Sequence, residues 1–327
     1  MTPPSASPKQ AAPAPPAAAS PEPDGARARK PSKREGQGLS NGAFAFLLTV
    51  PGLALFAAIV FYPLVASLVT GFFDQDLRLP GRTFVGLDNY ADVLDRDFWP
   101  VLQNTLVFTV GATLAPFAVG FALALALNTG LRGSGFLRGL FLFPWVIPGV
   151  VVSFLWMWIF NANYGVLNGA LLELGFIDES VSWLGEPTTA MVAVIVTKTW
   201  ASFPWMMVMM LAGLQTVPRE LHEAAAVDGA GAVRRFRAVT WPGVRGVAAI
   251  VLLLEFIWNF QHFDTIYVLT GGGPAGATET FAVAVYQDAF KGFDLGHAAA
   301  LGGLWMLLLL VLVGVYLKTS EREDKHS

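Results

Sequence analysis

The stretch from Phe98 to Leu131, which reads FWPVLQNTLVFTVGATLAPFAVGFALALALNTGL, contains no charged residue and decides the class of fold. A helix needs about 20 mainly apolar residues to cross a bilayer, and this stretch is long enough. Its apolar positions run on continuously, whereas a membrane-spanning strand would alternate apolar and polar residues. Five further stretches of similar character carry few or no charges. We therefore predict an all-α, polytopic membrane protein with six transmembrane helices, near residues 43–70, 101–128, 136–160, 190–214, 247–269 and 298–317.

The composition supports the same class and excludes several others. Of 327 residues, 54% are hydrophobic and only 14% are charged, whereas a soluble domain usually carries about 25% charged residues. The chain has no cysteine, which excludes disulfides, thiolate nucleophiles and cysteine-ligated metals. Its four histidines are too scattered to predict a metal cluster, and a net charge of −3 does not point to a nucleic-acid partner.

The distribution of Lys and Arg predicts the orientation in the membrane. If both termini lie inside, the internal segments hold sixteen of these residues and the external segments hold four, apart from Lys198 within a span. Cytoplasmic loops carry the excess of basic residues in membrane proteins. We therefore predict a multi-pass protein with both termini in the cytoplasm.

The two ends of the chain differ from its middle. Residues 1–40 are rich in Pro and Ala and end in a basic stretch. Such a composition cannot bury an apolar core, so we predict a disordered cytoplasmic tail there. Residues 41–320 form the predicted transmembrane domain, and residues 321–327 form a short cytoplasmic tail.

The loop between the fourth and fifth predicted helices, residues 215–246, carries the most specific pattern. It begins with QTVPRELHEAAAVDGA at 215–230. Pro218 suits a first helical turn, and Gly229 suits the left-handed residue that ends a helix. A second short helix is predicted at about 232–239, with Pro242 closing it. The loop is therefore predicted to form a helix–Gly–helix elbow, whose face of small residues can fit closely against another protein.

This loop resembles the EAA loop of binding-protein-dependent ABC importer permeases. The resemblance rests on Glu223, Ala224, Ala225, Asp228, Gly229, Ala230, Phe236, Trp241 and Pro242. The stretches VGLDNY at 85–90, Phe98-Trp99, Asn104-Thr105-Leu106 and TGGGP at 270–274 are similar to segments of sugar permeases, so the resemblance covers about residues 43–320. Within that family it points to the maltose-permease class of carbohydrate and glycerol-phosphate importers. Two positions depart from the pattern: Trp241 stands where Leu is usual, and His222 stands where an aromatic residue is frequent.

The resemblance implies a maltose-permease-like transport subunit of a bacterial plasma (inner) membrane, and not an enzyme. Its elbow would dock in a cleft of a cytoplasmic ATPase through the coupling residues Glu223, Ala224, Ala225, Asp228, Gly229, Ala230 and Pro242. The implied partners are a second homologous permease subunit, two cytoplasmic ATPase subunits and an extracytoplasmic solute-binding protein, which the outer segment 161–187 would meet. The chain contains no Gly-Lys dipeptide and hence no G-x-x-x-x-G-K-[ST] phosphate loop. ATP would therefore be bound by the partner, and no cofactor, catalytic residue or metal is expected on this chain.

The fifth predicted helix carries the polar residues that could meet a solute. Polar and ionisable side chains in a membrane helix normally face a cavity or another helix. At helical spacing Glu255, Asn259 and His262 share one face. Because sugars bind through hydroxyl hydrogen bonds and aromatic stacking, we predict a substrate path lined by Trp258, Asn259, Gln261 and His262. Hydrogen bonding between helices is an equally open role for these residues, and for Glu255 a pair with Lys198 is favoured.

The favoured function is ATP-driven import of a sugar or sugar-like solute, and three alternatives stay open. One is an importer of another small solute, such as glycerol-3-phosphate, an amino acid or a peptide. Another is an ion-coupled secondary transporter that uses Glu255, Asp264 and Lys198 as a relay. An intramembrane enzyme is disfavoured, because His262 has no Ser or Cys nucleophile beside it.

Overall fold

The computed structural model describes residues 41–129 and 133–324, and nearly all of their regular structure is helical. The chain divides into two units between Phe56 and Ala57. The first unit contributes helix α1, Asn41–Phe56. The helices of the second unit are α2 Tyr62–Thr70, α3 Asp88–Arg96, α4 Phe98–Leu127, α5 Ser134–Val146, α6 Gly149–Ile159, α7 Val166–Glu173, α8 Pro187–Gln215, α9 Arg219–Val227, α10 Ala232–Arg235, α11 Trp241–Phe260, α12 Asp264–Leu269, α13 Phe281–Tyr286 and α14 Leu295–Asp324.

Two other kinds of regular structure interrupt the helices. Strands β1, Phe73–Asp74, and β2, Thr83–Phe84, pair in antiparallel fashion as a short hairpin. Among the described residues, three segments have π-helical geometry: Ala57–Phe61, Phe236–Thr240 and Gln287–Gly292.

Within residues 41–129 and 133–324, five helical stretches are long and apolar enough to cross a bilayer. These are Leu48–Thr70, Phe98–Leu127, Pro187–Gln215, Ala232–Phe260 and Leu295–Gly314. A sixth candidate span exists if α5 and α6 are taken together. Prolines lie inside α4, at Pro116, and inside α8, at Pro204, without ending either helix, as membrane helices often tolerate.

The helix predicted near 136–160 is in fact two helices. α5 ends at Val146 and α6 begins at Gly149, with a bend of 93° between them. A residue before proline is driven out of the helical region, and Ile147, which precedes Pro148, has an extended backbone with φ −75° and ψ 132°. The predicted span is therefore broken into two helices, and the break lies at Pro148.

The helix predicted at 247–269 also has different limits. Residues 232–260 are helical throughout, from α10 through the π-helical segment into α11. Pro242 lies in the first turn of α11, where its missing N–H is tolerated, and so it does not close the preceding helix. At the other end α11 stops at Phe260 and the chain resumes as α12 at Asp264. His262 therefore does not share the helical face of Glu255 and Asn259, contrary to the prediction.

Helices α4 and α8 form the most extensive helix pair of the second unit. The two helices approach closely at Gly120, where a Cβ atom would lie 2.6 Å from Met206 Cβ and 2.7 Å from Phe203 O. Met206 and Met207, which lie in this seam, are fully buried. Flexible methionine side chains fill irregular gaps well. Helix α5 packs against α8, and α11 packs against both helices of this pair.

Several predictions concern residues outside the described ranges. They are the disordered tail at 1–40, Arg132 among the internal basic residues, and residues 325–327 of the C-terminal tail. Helix α14 continues to Asp324, beyond the predicted helix end at 317 and into the predicted tail.

Candidate functional site

The elbow predicted from the sequence is formed by α9 and α10, which meet at Gly229. Gly229 has φ +76°, a left-handed conformation that glycine adopts without strain. Its N–H donates to Ala226 O at 3.0 Å, and the Ala230 N–H donates to Ala225 O at 2.9 Å. These bonds close the last turn of α9. Gly229 therefore sets the direction in which the elbow turns.

The elbow presents exposed apolar side chains. Leu221 is 51% exposed and Val227 is 88% exposed. Of the predicted coupling residues, Glu223, Ala224, Asp228, Gly229 and Pro242 are exposed, and Ala225 and Ala230 are half-buried. The structure brings six of these seven residues onto one short segment, while Pro242 lies further along, in α11. Short helices with small and apolar exposed side chains are suited to a groove on another protein.

Aromatic contacts tie the elbow to the membrane helices. Phe121, near the end of α4, lies 6.1 Å from Phe236 and 6.3 Å from Trp241, measured between ring centroids. Phe236 begins the π-helical segment and Trp241 begins α11. The second arm of the elbow is thus both continuous with α11 and packed on α4.

The polar side chains of α11 face α4 and α8. Asn259 is 1% exposed, and its Nδ2 donates to Ala112 O at 2.9 Å and to Thr113 Oγ1 at 3.2 Å, both on α4. Glu255 is 2% exposed, and its Oε1 lies 3.9 Å from Lys198 Nζ on α8. That distance makes an ion pair without a hydrogen bond. The pairing of Lys198 with Glu255, favoured from the sequence, is thus present.

A cavity of about 160 Å³ opens beside this ion pair. Three tryptophans from three helices line it: Trp145 stacks on Trp205 with ring centroids 6.1 Å apart, and Trp205 lies 5.7 Å from Trp258. Lys198 and Glu255 also line the cavity. Aromatic faces beside charged groups can hold a molecule that has both apolar C–H faces and polar substituents.

The predicted path residues divide into two groups. Trp258 lines the cavity and is 48% exposed, and Gln261 is exposed. Asn259 is buried against α4, as described above. His262 is half-buried, with its Nε2 atom 2.9 Å from Thr265 Oγ1 and its ring stacked on Phe108. Of the four predicted path residues, the structure therefore places only Trp258 on this cavity.

Sequence reasoning missed the other aromatic walls of the cavity. Trp145 was not among the predicted path residues. Trp205 is one of several aromatic and Met residues in the fourth predicted helix, and the sequence does not single it out. A signal existed in the proximity of Trp145 to Pro144 and Pro148, because a proline break can turn a neighbouring side chain toward another helix. No pattern in the sequence pairs it with Trp205.

Asn104 and Thr105, near the start of α4, hold the loop between α12 and α13. Asn104 Nδ2 donates to Gly276 O at 2.7 Å and to Glu279 O at 3.1 Å. Thr105 Oγ1 accepts a hydrogen bond from the Phe281 N–H at 3.1 Å. Burial, reinforced by nearby carboxylates, raises the pKa of Glu279 above its ordinary value. The stretch at 270–281 is thus fixed to the start of α4.

The outer segment 161–187 is organised around one side chain. Asn168 is buried and accepts hydrogen bonds from the Val181 N–H at 3.3 Å and from Trp183 Nε1 at 2.9 Å. Its Nδ2 donates to Val181 O at 2.9 Å. The segment therefore presents an ordered surface in which α7 is the helical part. Among the described residues, no group of three or more His, Asp and Glu side chains could hold a metal ion.

Comparison with known proteins identifies relatives along most of the chain. The Sulfoquinovosyl glycerol transport system permease protein SmoG of Agrobacterium fabrum is 35% identical, over 88% of this chain and 93% of the relative. The Trehalose/maltose transport system permease protein MalF of Thermococcus litoralis is also 35% identical, over 84% of this chain and 92% of the relative. The resemblance stated from the motifs is thereby confirmed.

The fold has a counterpart among solved structures. A chain in the crystal structure of a bacterial ABC transporter involved in the import of the acidic polysaccharide alginate superposes with a TM-score of 0.72, at 21% identity, over 85% of this chain and 95% of that chain. The predicted fold class is confirmed by this likeness and by the candidate spans. Residues 117–320 match the family described as binding-protein-dependent transport system inner membrane component. The chain belongs to that family, and it is a multi-pass permease subunit of an inner membrane transport system.

Proposed function

We propose that this chain is the permease subunit of an ATP-driven importer that carries a sugar or sugar-like solute into the cell. One observation carries the proposal: the exposed elbow at Gly229 is continuous, through residues 232–260, with the helix that bears Glu255, Trp258 and Asn259. A movement imposed on the elbow from outside the chain would therefore be passed directly to a wall of the tryptophan-lined cavity.

The elbow supports a proposal about the motor. Its exposed apolar residues Leu221 and Val227, with the small side chains between them, fit a cleft on a cytoplasmic ATPase subunit. Two such ATPases would serve two permease subunits, and their closure on ATP would move the elbows. Such a rigid-body movement would switch the pathway between outward and inward access.

The remaining partners follow from the shape of the site. The cavity is open on the chain's own surface, so a second, homologous permease subunit would complete the pathway. One solved neighbour is a bacterial alginate ABC transporter in complex with an alginate pentasaccharide-bound periplasmic protein. By analogy, an extracytoplasmic solute-binding protein would deliver solute to the ordered outer segment 161–187. Both termini would then lie in the cytoplasm, as the basic residues indicate.

The cavity supports the solute class. Trp145, Trp205 and Trp258 offer aromatic faces, and Lys198 and Glu255 offer polar groups at their edge. Sugars present C–H faces and hydroxyls to such an arrangement. The relatives named above transport, by their names, sulfoquinovosyl glycerol and trehalose or maltose. An importer of glycerol-3-phosphate, an amino acid or a peptide is the alternative within the same family.

A cysteine cross-link tests the motor assignment. The chain has no native cysteine, so Ala224→Cys, exposed on α9, provides a single reactive site. We expect a cross-link to a cysteine in the cleft of the cognate ATPase, with a yield that changes when ATP is added. Ala170→Cys, exposed on α7, is the matched control and should give no cross-link. Uptake that persists without any ATPase, together with no cross-link at Ala224, would instead favour the ion-coupled transporter.

A further inference from the structure

A second cavity, of about 520 Å³, lies between the elbow and the ends of two membrane helices. Asn128 and Thr129, which follow α4, and Gln215, which ends α8, line one side of it. Arg219 and His222 of α9 and Arg235 of α10 line the other side. We call this the basic elbow cavity.

The charges in the basic elbow cavity are not balanced. Its lining includes Arg219, His222 and Arg235 but no Asp or Glu. Within the part of the chain that the structure describes, none of the three takes part in an ion pair. Arg235 is half-buried, and so is the neighbouring His222. Partly buried charge of one sign is unfavourable until an opposite charge joins it.

The geometry points to a phosphate-bearing anion as the ligand, and we propose that the basic elbow cavity binds one. Two guanidinium groups present planar forks that match phosphate oxygens, and an imidazole adds one or two further donors. The amides of Asn128 and Gln215 and the hydroxyl of Thr129 add neutral hydrogen-bonding groups.

The phosphate group could come from either of two sources, an acidic lipid headgroup or a free phosphate compound. Because α4 and α8 are candidate membrane spans that both end here, an anionic lipid headgroup could reach the cavity from the bilayer surface. Basic pockets at that surface bind acidic lipid headgroups. A free phosphate compound has the same recognition chemistry. In either case the anion would bridge the fixed ends of α4 and α8 to the elbow and hold the elbow against the membrane domain.

The test measures binding to the full chain purified with its partner subunits. Phosphatidylglycerol is titrated and followed by native mass spectrometry, with phosphatidylcholine as the neutral lipid; inorganic phosphate is titrated by calorimetry in phosphatidylcholine nanodiscs. The variant is Arg219→Gln/Arg235→Gln. The matched control, Arg234→Gln/Arg237→Gln, removes the same charge from the same elbow at exposed residues that do not line the cavity.

We expect Arg219→Gln/Arg235→Gln to raise the Kd of the tightest phosphatidylglycerol site about tenfold, because charge-assisted hydrogen bonds are lost. The control variant should change this Kd little. If inorganic phosphate alone shows this difference, the ligand is a free phosphate compound. Equal binding by variant and control, for both probes, overturns the proposal; if the ATPase is then lost from the variant, the basic groups serve protein docking. Should the double variant fail to assemble, His222→Phe carries the test, with weaker phosphate or lipid binding expected and unchanged binding as the contrary result.

Discussion

At Lys198 and Glu255 the protein keeps opposite charges 3.9 Å apart within its helical core, with Glu255 almost fully buried. Removing one partner of a buried pair leaves the other uncompensated, at about 3–5 kcal/mol. We therefore expect Lys198→Met to lower the free energy of unfolding by that order. The double variant Lys198→Met/Glu255→Gln should recover most of the loss, because its carboxylate is gone while an acceptor oxygen stays near Asn259. Thermal unfolding of the purified proteins measures both, and a double variant as unstable as the single one would refute the electrostatic explanation.

Variants at Asn259 and Gln261 distinguish a role in helix packing from contact with the solute. The Asn259 amide bonds to the backbone of α4, whereas Gln261 is exposed just beyond the end of α11. Interhelical hydrogen bonds in membranes contribute about 0.6 kcal/mol on average. Asn259→Ala should therefore lower the free energy of unfolding by about 0.6 kcal/mol, and Gln261→Ala should leave it unchanged. If Gln261 lies on the solute path, its variant changes the uptake KM; unchanged KM in both variants removes both residues from the path.

Among the elements, the elbow depends on the backbone at Gly229. An alanine there would adopt a left-handed conformation at about 1–2 kcal/mol, although open space surrounds the position of the new Cβ. We expect Gly229→Ala to reduce uptake severalfold without changing the amount of protein in the membrane. Gly231→Ala is the matched control, because Gly231 has φ −67° and equally open surroundings. Equal uptake by the two variants would mean that the turn at Gly229 does not matter for coupling.

The pairing of α4 with α8 depends on Gly120. A Cβ atom added at Gly120 would meet the backbone of Phe203 and the Cβ of Met206, neither of which can swing away. At Gly111, on the same helix, the near atom is the flexible Cδ1 end of Ile195. Overpacking costs about 1–3 kcal/mol, so Gly120→Ala should fall at the top of that range and Gly111→Ala below it. Thermal unfolding of the two purified variants measures the difference. A larger loss of stability for Gly111→Ala than for Gly120→Ala would contradict the close packing of α4 on α8 at Gly120.

Patterns along the chain predict the elements better than they predict the site. Charge-free stretches locate the spans because a bilayer demands long apolar segments, and Gly229 predicts the turn because glycine adopts the left-handed conformation without strain. The break at Pro148 lies in an apolar stretch, and a proline there does not by itself predict a break, because Pro116 and Pro204 lie inside helices that continue. The polar residues that follow Phe260 fit the predicted polar face of a longer helix equally well, so the end of α11 was not predicted. Trp145, Trp205 and Trp258 come from three helices, so their shared cavity depends on tertiary packing. For the same reason Arg235 and His222 could not be assigned to one cavity beforehand.

For the whole molecule, the excess of basic residues in the predicted internal segments predicts the topology. Because the chain has no native cysteine, single introduced cysteines can be labelled to test that topology. We expect Ala170→Cys to react with a membrane-impermeant maleimide in intact cells. Ala226→Cys on α9, also exposed on the chain, should react only after the cells are permeabilised. The cysteine-free parent gives the background. Labelling of Ala226→Cys in intact cells would reverse the proposed orientation.

The helical run Ala232–Phe260, which contains the π-helical segment Phe236–Thr240, joins the elbow directly to the wall of the cavity at Trp258. Its 29 residues extend about 40 Å, so a tilt of about 5° around a pivot at one end displaces the other by about 3–4 Å. That displacement is comparable to the width of a sugar hydroxyl and its hydrogen bond. In the proposed importer, a movement of this size at the elbow would be enough to make or break the contacts of a solute beside Trp258, without a hinge between the two.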